Sequence, residues 1–183
     1  MKSWLAITIA FIAHASLAQS LTDIDYVCMP CGYACDLREY DQPGQCPECG
    51  MAFIDKSTIK FSNIDFAEMC KRVTANKNVV LMDVRLEGEF TGNNTEVASW
   101  GHLKGAININ VNDLAERLSE LKGQEESEII IYCSHSHRSP RASYFLSTNG
   151  FSNVTNVEGG VSILKQEFGN NSCLSKIFVP HVN

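Results

Sequence analysis

A basic stripe is missing from this chain. Fifteen Lys and Arg face 21 Asp and Glu, a net charge of −6 with neutral histidines. General nucleic-acid binding usually needs such a stripe, so the charge argues against nucleic acid as a partner. Internal repeats and low-complexity runs are also missing. The apolar run from Trp4 to Ala13 has only ten residues, too short to span a bilayer comfortably. What is present is ordinary for a soluble globular chain: 44% hydrophobic and 20% charged residues. A length of 183 residues suits one domain plus a small module.

The first residues read as a targeting segment. Met1-Lys2-Ser3 carries one positive charge, the apolar run follows, and Ser16-Leu17-Ala18 places small residues where a signal peptidase reads. Residues 1–18 are therefore expected to be a cleaved secretory signal; an uncleaved anchor is the alternative. No Cys follows the run, which argues against a lipid anchor. The expected location is periplasmic or secreted, with no stable membrane anchor after cleavage. Export bears on the eight cysteines, because an oxidising compartment favours disulfides. Yet four of them have metal-site spacing, and another looks catalytic.

Three blocks follow. Residues 26–53 are rich in Cys, Pro and Gly, 54–60 look like a connector, and 61–168 alternate between helix-like and strand-like patterns, the main domain being expected over 59–168 with a tail at 169–183. The main block reads as α/β. Ser62-x-x-Asp65 resembles a helix-start box, and Phe66, Met69, Cys70 and Val73 fall on one helix face. Cys70 is expected there as a small core hydrophobe. Val79 to Val84, Ile129 to Tyr132 and Asn153 to Val157 suit strands. Leu114, Leu118 and Leu121 predict a second helix, Ala142, Phe145 and Leu146 a third, and Val161 to Phe168 a last one. Alternating strands and helices imply a parallel sheet with right-handed crossovers.

Ligands of open α/β sheets bind beyond the carboxyl ends of the strands. The run Ile129–Tyr132 delivers Cys133 to such an end. Pro140 then suits the first turn of a helix, so Cys133-Ser134-His135-Ser136-His137-Arg138 is a strand-to-helix loop. Unpaired N–H groups at that helix start, with Arg138, would form an anion cradle above the sulfur and favour thiolate. A Cys followed by five polar residues is poorly explained as core.

These motifs resemble a single-domain rhodanese. Leu81-Met82-Asp83-Val84-Arg85 with Glu89-Phe90, Gly101-His102-Leu103-Lys104-Gly105-Ala106-Ile107-Asn108-Ile109, the loop Tyr132 to Ser139, Gly150-Phe151 and Val157-Glu158-Gly159-Gly160 occur in that family's order. The resemblance implies a rhodanese-like parallel sheet flanked by helices, and a sulfurtransferase. Cys133 would accept a sulfane sulfur from a donor such as thiosulfate and pass it to a thiol or cyanide. Arg138 would be catalytic, and Ser134, His135, Ser136, His137 and Ser139 would contact substrate. His135 and His137 can serve as proton donors, anion contacts, metal ligands or plain exposed loop residues. Asp83, Arg85 and His102 would be scaffold. Rhodanese-like phosphatases have a loop one residue longer, so this loop suits sulfur better than phosphate. Two features depart from the family pattern. Ser136 stands where Gly is frequent, and Gly permits a positive φ that Ser resists. Thr91 to Trp100 also looks like an insertion.

The Cys-rich block holds two Cys-x2-Cys knuckles, Cys28/Cys31 and Cys46/Cys49, in the zinc-ribbon spacing range. Two such turns can complete a tetrahedron around one ion. The block resembles a small heavy-metal-binding ribbon, matching best from Pro43 to Met51. Cys28, Cys31, Cys46 and Cys49 are the expected ligands, for zinc or else copper, with two disulfides as the alternative reading. Cys35 is a spare ligand or a partner of Cys173. No organic cofactor is expected. Two other functions stay open: metal delivery, and redox or sulfide sensing without turnover.

Overall fold

A computed structural model describes residues 25–93, 100–164 and 173–181. The expected signal at 1–18, most of the Thr91–Trp100 insertion and the end of the last expected helix lie outside the described residues.

The described chain begins with β1 (Tyr26–Cys28), β2 (Glu39–Tyr40) and β3 (Phe53–Asp55), an antiparallel ribbon in the order β2-β1-β3. Its core is mostly sulfur: Cys28, Cys31, Cys35, Cys46, Met29 and Met51, with Val27 and Ile54. So few aliphatic side chains need a staple.

The α/β part follows: β4 (Ser62–Ile64), α1 (Phe66–Ala75), β5 (Val80–Asp83), α2 (Glu87–Thr91), β6 (His102–Leu103), β7 (Ile107–Asn108), β8 (Ile129–Tyr132), α3 (Arg138–Thr148) and β9 (Val154–Val157). A short helix, Leu174–Ile177, leads into β10 (Phe178–Val179). Five strands form a parallel sheet in the order β4-β9-β8-β5-β7. The central strand β8, Ile-Ile-Ile-Tyr, is buried throughout, as a strand covered on both faces must be. Phe66, Met69, Cys70 and Leu174 pack in one core cluster, and Leu114, Leu121, Ala142 and Leu146 in another.

Three local expectations change. The helix-start box is corrected: Ser62 pairs in β4, and Asp65 alone caps α1, its carboxylate accepting the Glu68 N–H at 2.7 Å. The helix expected from Leu114 to Leu121 shrinks to turns and a 3-10 segment, Leu118–Leu121. Leu114 and Leu121 are buried as the pattern required, but Asn110 accepts the Asn112 N–H and offers the backbone a competing turn. Of the last helix, the described part is a 3-10 turn, Val161–Ile163, running into Leu164.

Cys70 is buried on α1 but is not a free core thiol. It forms a disulfide with Cys173, across 103 positions of sequence. That bond removes the Cys35–Cys173 alternative and clips the C-terminal segment onto α1. From there β10 pairs antiparallel with β6.

Candidate active site and thiol cluster

The sheet presents Cys133 at the carboxyl end of β8, with 1% of its surface exposed. Behind the loop, the carbonyls of Cys133 and Ser134 are tied by the N–H groups of Val161 and Ser162, at 2.9 and 3.1 Å. A trans peptide points its N–H opposite its carbonyl, so the next two amides face away from that segment. Gly160 permits the close approach. A Cβ there would lie 2.3 Å from the Ser134 carbonyl carbon, and its φ is +66°. Ser139, on the first turn of α3, donates its hydroxyl to Cys133 Sγ at 3.3 Å.

Arg138, expected to add positive charge at the Cys133 loop, also has a partner within the fold. Its guanidinium grips Glu89 of α2 with two bonds, 2.6 and 2.8 Å, and donates to Ser134 Oγ at 2.6 Å. Glu89 is 1% exposed. Burial would raise its carboxyl, but the Arg138 bonds and charge outweigh that and hold it below the ordinary carboxylate range. Arg138 thus positions the loop against α2. Glu89 was noticed in the sequence only as part of a motif; its role as the partner of Arg138 had no separate signal.

The loop's other residues divide cleanly. Ser134, Ser136 and Ser139 are buried, while His135 and His137 are exposed at the mouth. Burial of the ring, then the nearby His137 and Arg138, push His135 below its ordinary value, which favours the neutral form. Trp100 meets His135 edge-on at 5.0 Å, and Tyr33 from the ribbon tilts against His137 at 5.7 Å. Ser136 takes φ +58° in spite of its Cβ. Beneath, Asp83 and Arg85 form a fully buried pair at 2.6 Å, and Arg85 also donates to the Gly101 carbonyl at 2.7 Å. The pair holds the Gly101 and Asn108 segments rather than bonding the Cys133 loop directly. His102 lies against Phe90 and, through Nδ1, 3.2 Å from His181 Nε2.

In the ribbon, the sulfurs of Cys28, Cys31, Cys35 and Cys49 all lie within 4.8 Å of one another. A zinc tetrathiolate with bonds of about 2.3 Å would place its sulfurs about 3.8 Å apart, so small shifts suffice. Cys46, expected as a ligand, stands beside Cys28 and Cys49 as a fifth thiol. It takes the backbone N–H groups of Cys49 and Glu48, which outweigh its burial and bring it down to about 7. Burial pushes the Cys28 and Cys31 thiols up, and Cys35 to about 11. Buried thiols of this kind give up protons readily only to a cation. The sequence had left Cys35 between two roles; the fold puts it inside the cluster.

A parallel sheet with a buried cysteine at the head of a strand-to-helix loop defines an α/β protein with its candidate site centred on that cysteine. Family comparison then makes the assignment. The rhodanese-like domain matches residues 66–167, more than half of the chain, and the chain belongs to that family. Among curated relatives, it is 36% identical over 90 residues to a tRNA uridine(34) hydroxylase of Buchnera aphidicola, covering 47% of this chain and 26% of that protein. It is 25% identical over 100 residues to a sulfurtransferase of Allochromatium vinosum, covering 55% and 84%. The chain spans about a quarter to about half of the first relatives it matches. A reduced Bacillus anthracis CoADR-RHD structure shares 25% identity at a TM-score of 0.50, covering 65% of this chain and 18% of that one. A Saccharomyces cerevisiae homolog of single-domain rhodanese and the Cdc25 phosphatase catalytic domain reaches 0.52 at 16% identity, covering 68% and 91%, a likeness of fold.

Proposed function

We propose that this chain is an exported sulfurtransferase that carries sulfane sulfur on Cys133. The observation that supports it best is Cys133 at the sheet's carboxyl end, in a loop tied behind by Val161 and Ser162 and bonded by Ser139. Thiolate at Cys133 attacks the sulfane sulfur of a donor such as thiosulfate. A sulfur–sulfur bond forms to Cys133, the donor's own sulfur–sulfur bond breaks, and sulfite leaves with the electron pair. The acceptor, a thiolate or cyanide, then attacks the outer sulfur and Cys133 leaves as thiolate. No outside oxidant or reductant is required, and two-step covalent transfer gives ping-pong kinetics. Ser139 and the forward-facing amides stabilise negative charge at the sulfur, while Arg138 and Glu89 hold the loop in shape.

Export is the matching reading of compartment. The signal-like segment 1–18 supports it, and so does the Cys70–Cys173 disulfide, a bond that persists in oxidising compartments. In the ribbon we infer structural zinc, with copper(I) the alternative soft ion. Cys28, Cys31, Cys35 and Cys49 would hold it, with Cys46 adjacent, and it would supply the staple that the ribbon's core lacks. Intact-mass analysis of the full chain with and without thiosulfate tests the chemistry: one added sulfur, lost on adding cyanide and absent from Cys133→Ser. Native mass spectrometry tests for the ion.

A further inference from the structure

The ribbon and the Cys133 loop are joined by buried polar contacts. Ser136 Oγ donates to the Cys31 carbonyl at 2.6 Å, and both residues are buried. Asn156 Nδ2 reaches Ser136 Oγ at 3.4 Å and Asn63 Oδ1 at 3.0 Å. A polar chain therefore runs from β4 through β9 and the loop to the ribbon. Left-handed backbone is strained for an L residue, and Gly at position 136 would avoid that strain. What Gly lacks is the hydroxyl. Tyr33 adds a second bond, from its hydroxyl to the His135 carbonyl at 3.3 Å. On the other side, the Cys31 and Gly32 amides are both held by Asp36 Oδ2, at 2.8 and 2.7 Å. The knuckle that carries the Cys31 sulfur is thus the same turn that carries the loop's acceptor. A cleft of about 450 Å³, lined by Tyr33, Cys35, Cys49 and His137, lies along this seam.

We propose that Ser136 is a positioning residue that couples metal occupancy of the thiol cluster to the shape of the Cys133 loop. The proposal rests on the sulfur-transfer and metal readings above. An ion fixes the Cys31 sulfur, and the knuckle then presents its carbonyl to Ser136 in one geometry. When the ion leaves, the knuckle relaxes, Ser136 loses its acceptor, and the strained φ is no longer compensated. Coupling is reciprocal, so the loop contact must also tighten metal binding.

The test uses the full chain and Ser136→Gly, which keeps the backbone conformation and removes the hydroxyl. Zinc affinity is measured by competition with a chromophoric chelator. The rate of thiosulfate-dependent sulfur addition to Cys133 is followed by intact mass, with zinc bound and stripped, under anaerobic conditions. One hydrogen bond of ordinary net strength predicts zinc binding about two- to tenfold weaker in Ser136→Gly. Stripping zinc should slow sulfur addition to the unsubstituted protein more than it slows Ser136→Gly. Equal zinc affinities, or equal responses to stripping, would overturn the coupling. Should Ser136→Gly fail to fold, hydrogen exchange of the unsubstituted chain decides: stripping zinc should lower the protection of the amides of residues 134–138, and unchanged protection would overturn the proposal. If the unsubstituted protein binds zinc but adds no sulfur, sulfur transfer fails while the affinity comparison still decides the coupling. A protein that binds no zinc overturns the coupling outright.

Discussion

Replacing both Cys70 and Cys173 with Ala should strongly lower the stability of the α/β part. The bond joins residues 103 positions apart and crosses most of the domain. For a closed loop of about 100 residues, the chain-entropy argument assigns about 4.7 kcal/mol to the cross-link. Released, the C-terminal segment is held by non-covalent contacts: Leu174 is fully buried, Phe178 nearly so, and β10 pairs with β6. At about 2–4 °C per kcal/mol for a protein of this size, the midpoint should fall by roughly 10–20 °C. Scanning calorimetry of both proteins, without reductant, measures it. A midpoint within about 2 °C of the parent would refute the reasoning, because it would mean that the bond is absent or that the unfolded chain gains no freedom when it is cut.

Other predictions test the site. Gly160→Ala drives a Cβ into the Ser134 carbonyl and should cost about 2–4 kcal/mol, with sulfur addition to Cys133 falling in parallel; denaturant melts and intact mass check both. Glu89→Gln should weaken the grip on Arg138 by about 1–3 kcal/mol, seen in the same melts. Its pH dependence has a definite sign. The folded carboxyl lies below its ordinary 4.5, so the stability it contributes is complete above that value and is lost as pH falls through the lowered one. Glu89→Gln should flatten the acid side of the stability curve. His102 and His181 behave in the opposite chemical sense with the same direction. Burial, and for His102 the facing His181, push both below the ordinary 6.5. The unfolded chain then binds more protons, and the stability from the neutral pair is present above about 6.5 and lost as pH falls below it. Protection of the Phe178 and Val179 amides, the exchange rate taken relative to its intrinsic value at each pH, should fall as pH drops below about 6.5, and unchanged protection would contradict the pairing.

The legible parts of the fold were those fixed by local pattern. Ile129–Tyr132 could only be a buried strand, and Pro140 only an early helix residue, so Cys133 had to end a strand and start a loop. The face Phe66, Met69, Cys70 was equally direct. Less legible was anything decided across the fold. Cys70 and Cys173 carry no local mark of partnership, because a helix face asks only for a small apolar group. The Leu114–Leu121 pattern placed core residues correctly but not their backbone, which Asn110 diverts into a turn. Knuckle spacing singled out Cys46 over Cys35, whereas the ribbon's path brings Cys35 among the other three sulfurs. Ser136 looked like a mere departure from Gly until the ribbon's Cys31 carbonyl was found opposite its hydroxyl. Arg138 was expected to carry charge at the loop, but its buried partner Glu89 on α2, 49 positions away, had no mark in the sequence.

Whether Cys133 carries sulfur is decided by one measurement. The full chain is incubated with thiosulfate, separated from it, and weighed intact beside Cys133→Ser. The account predicts one added sulfur per chain, removed stoichiometrically by cyanide and absent from Cys133→Ser. A parent protein that gains no sulfur, or a Cys133→Ser chain that gains it equally, would contradict it.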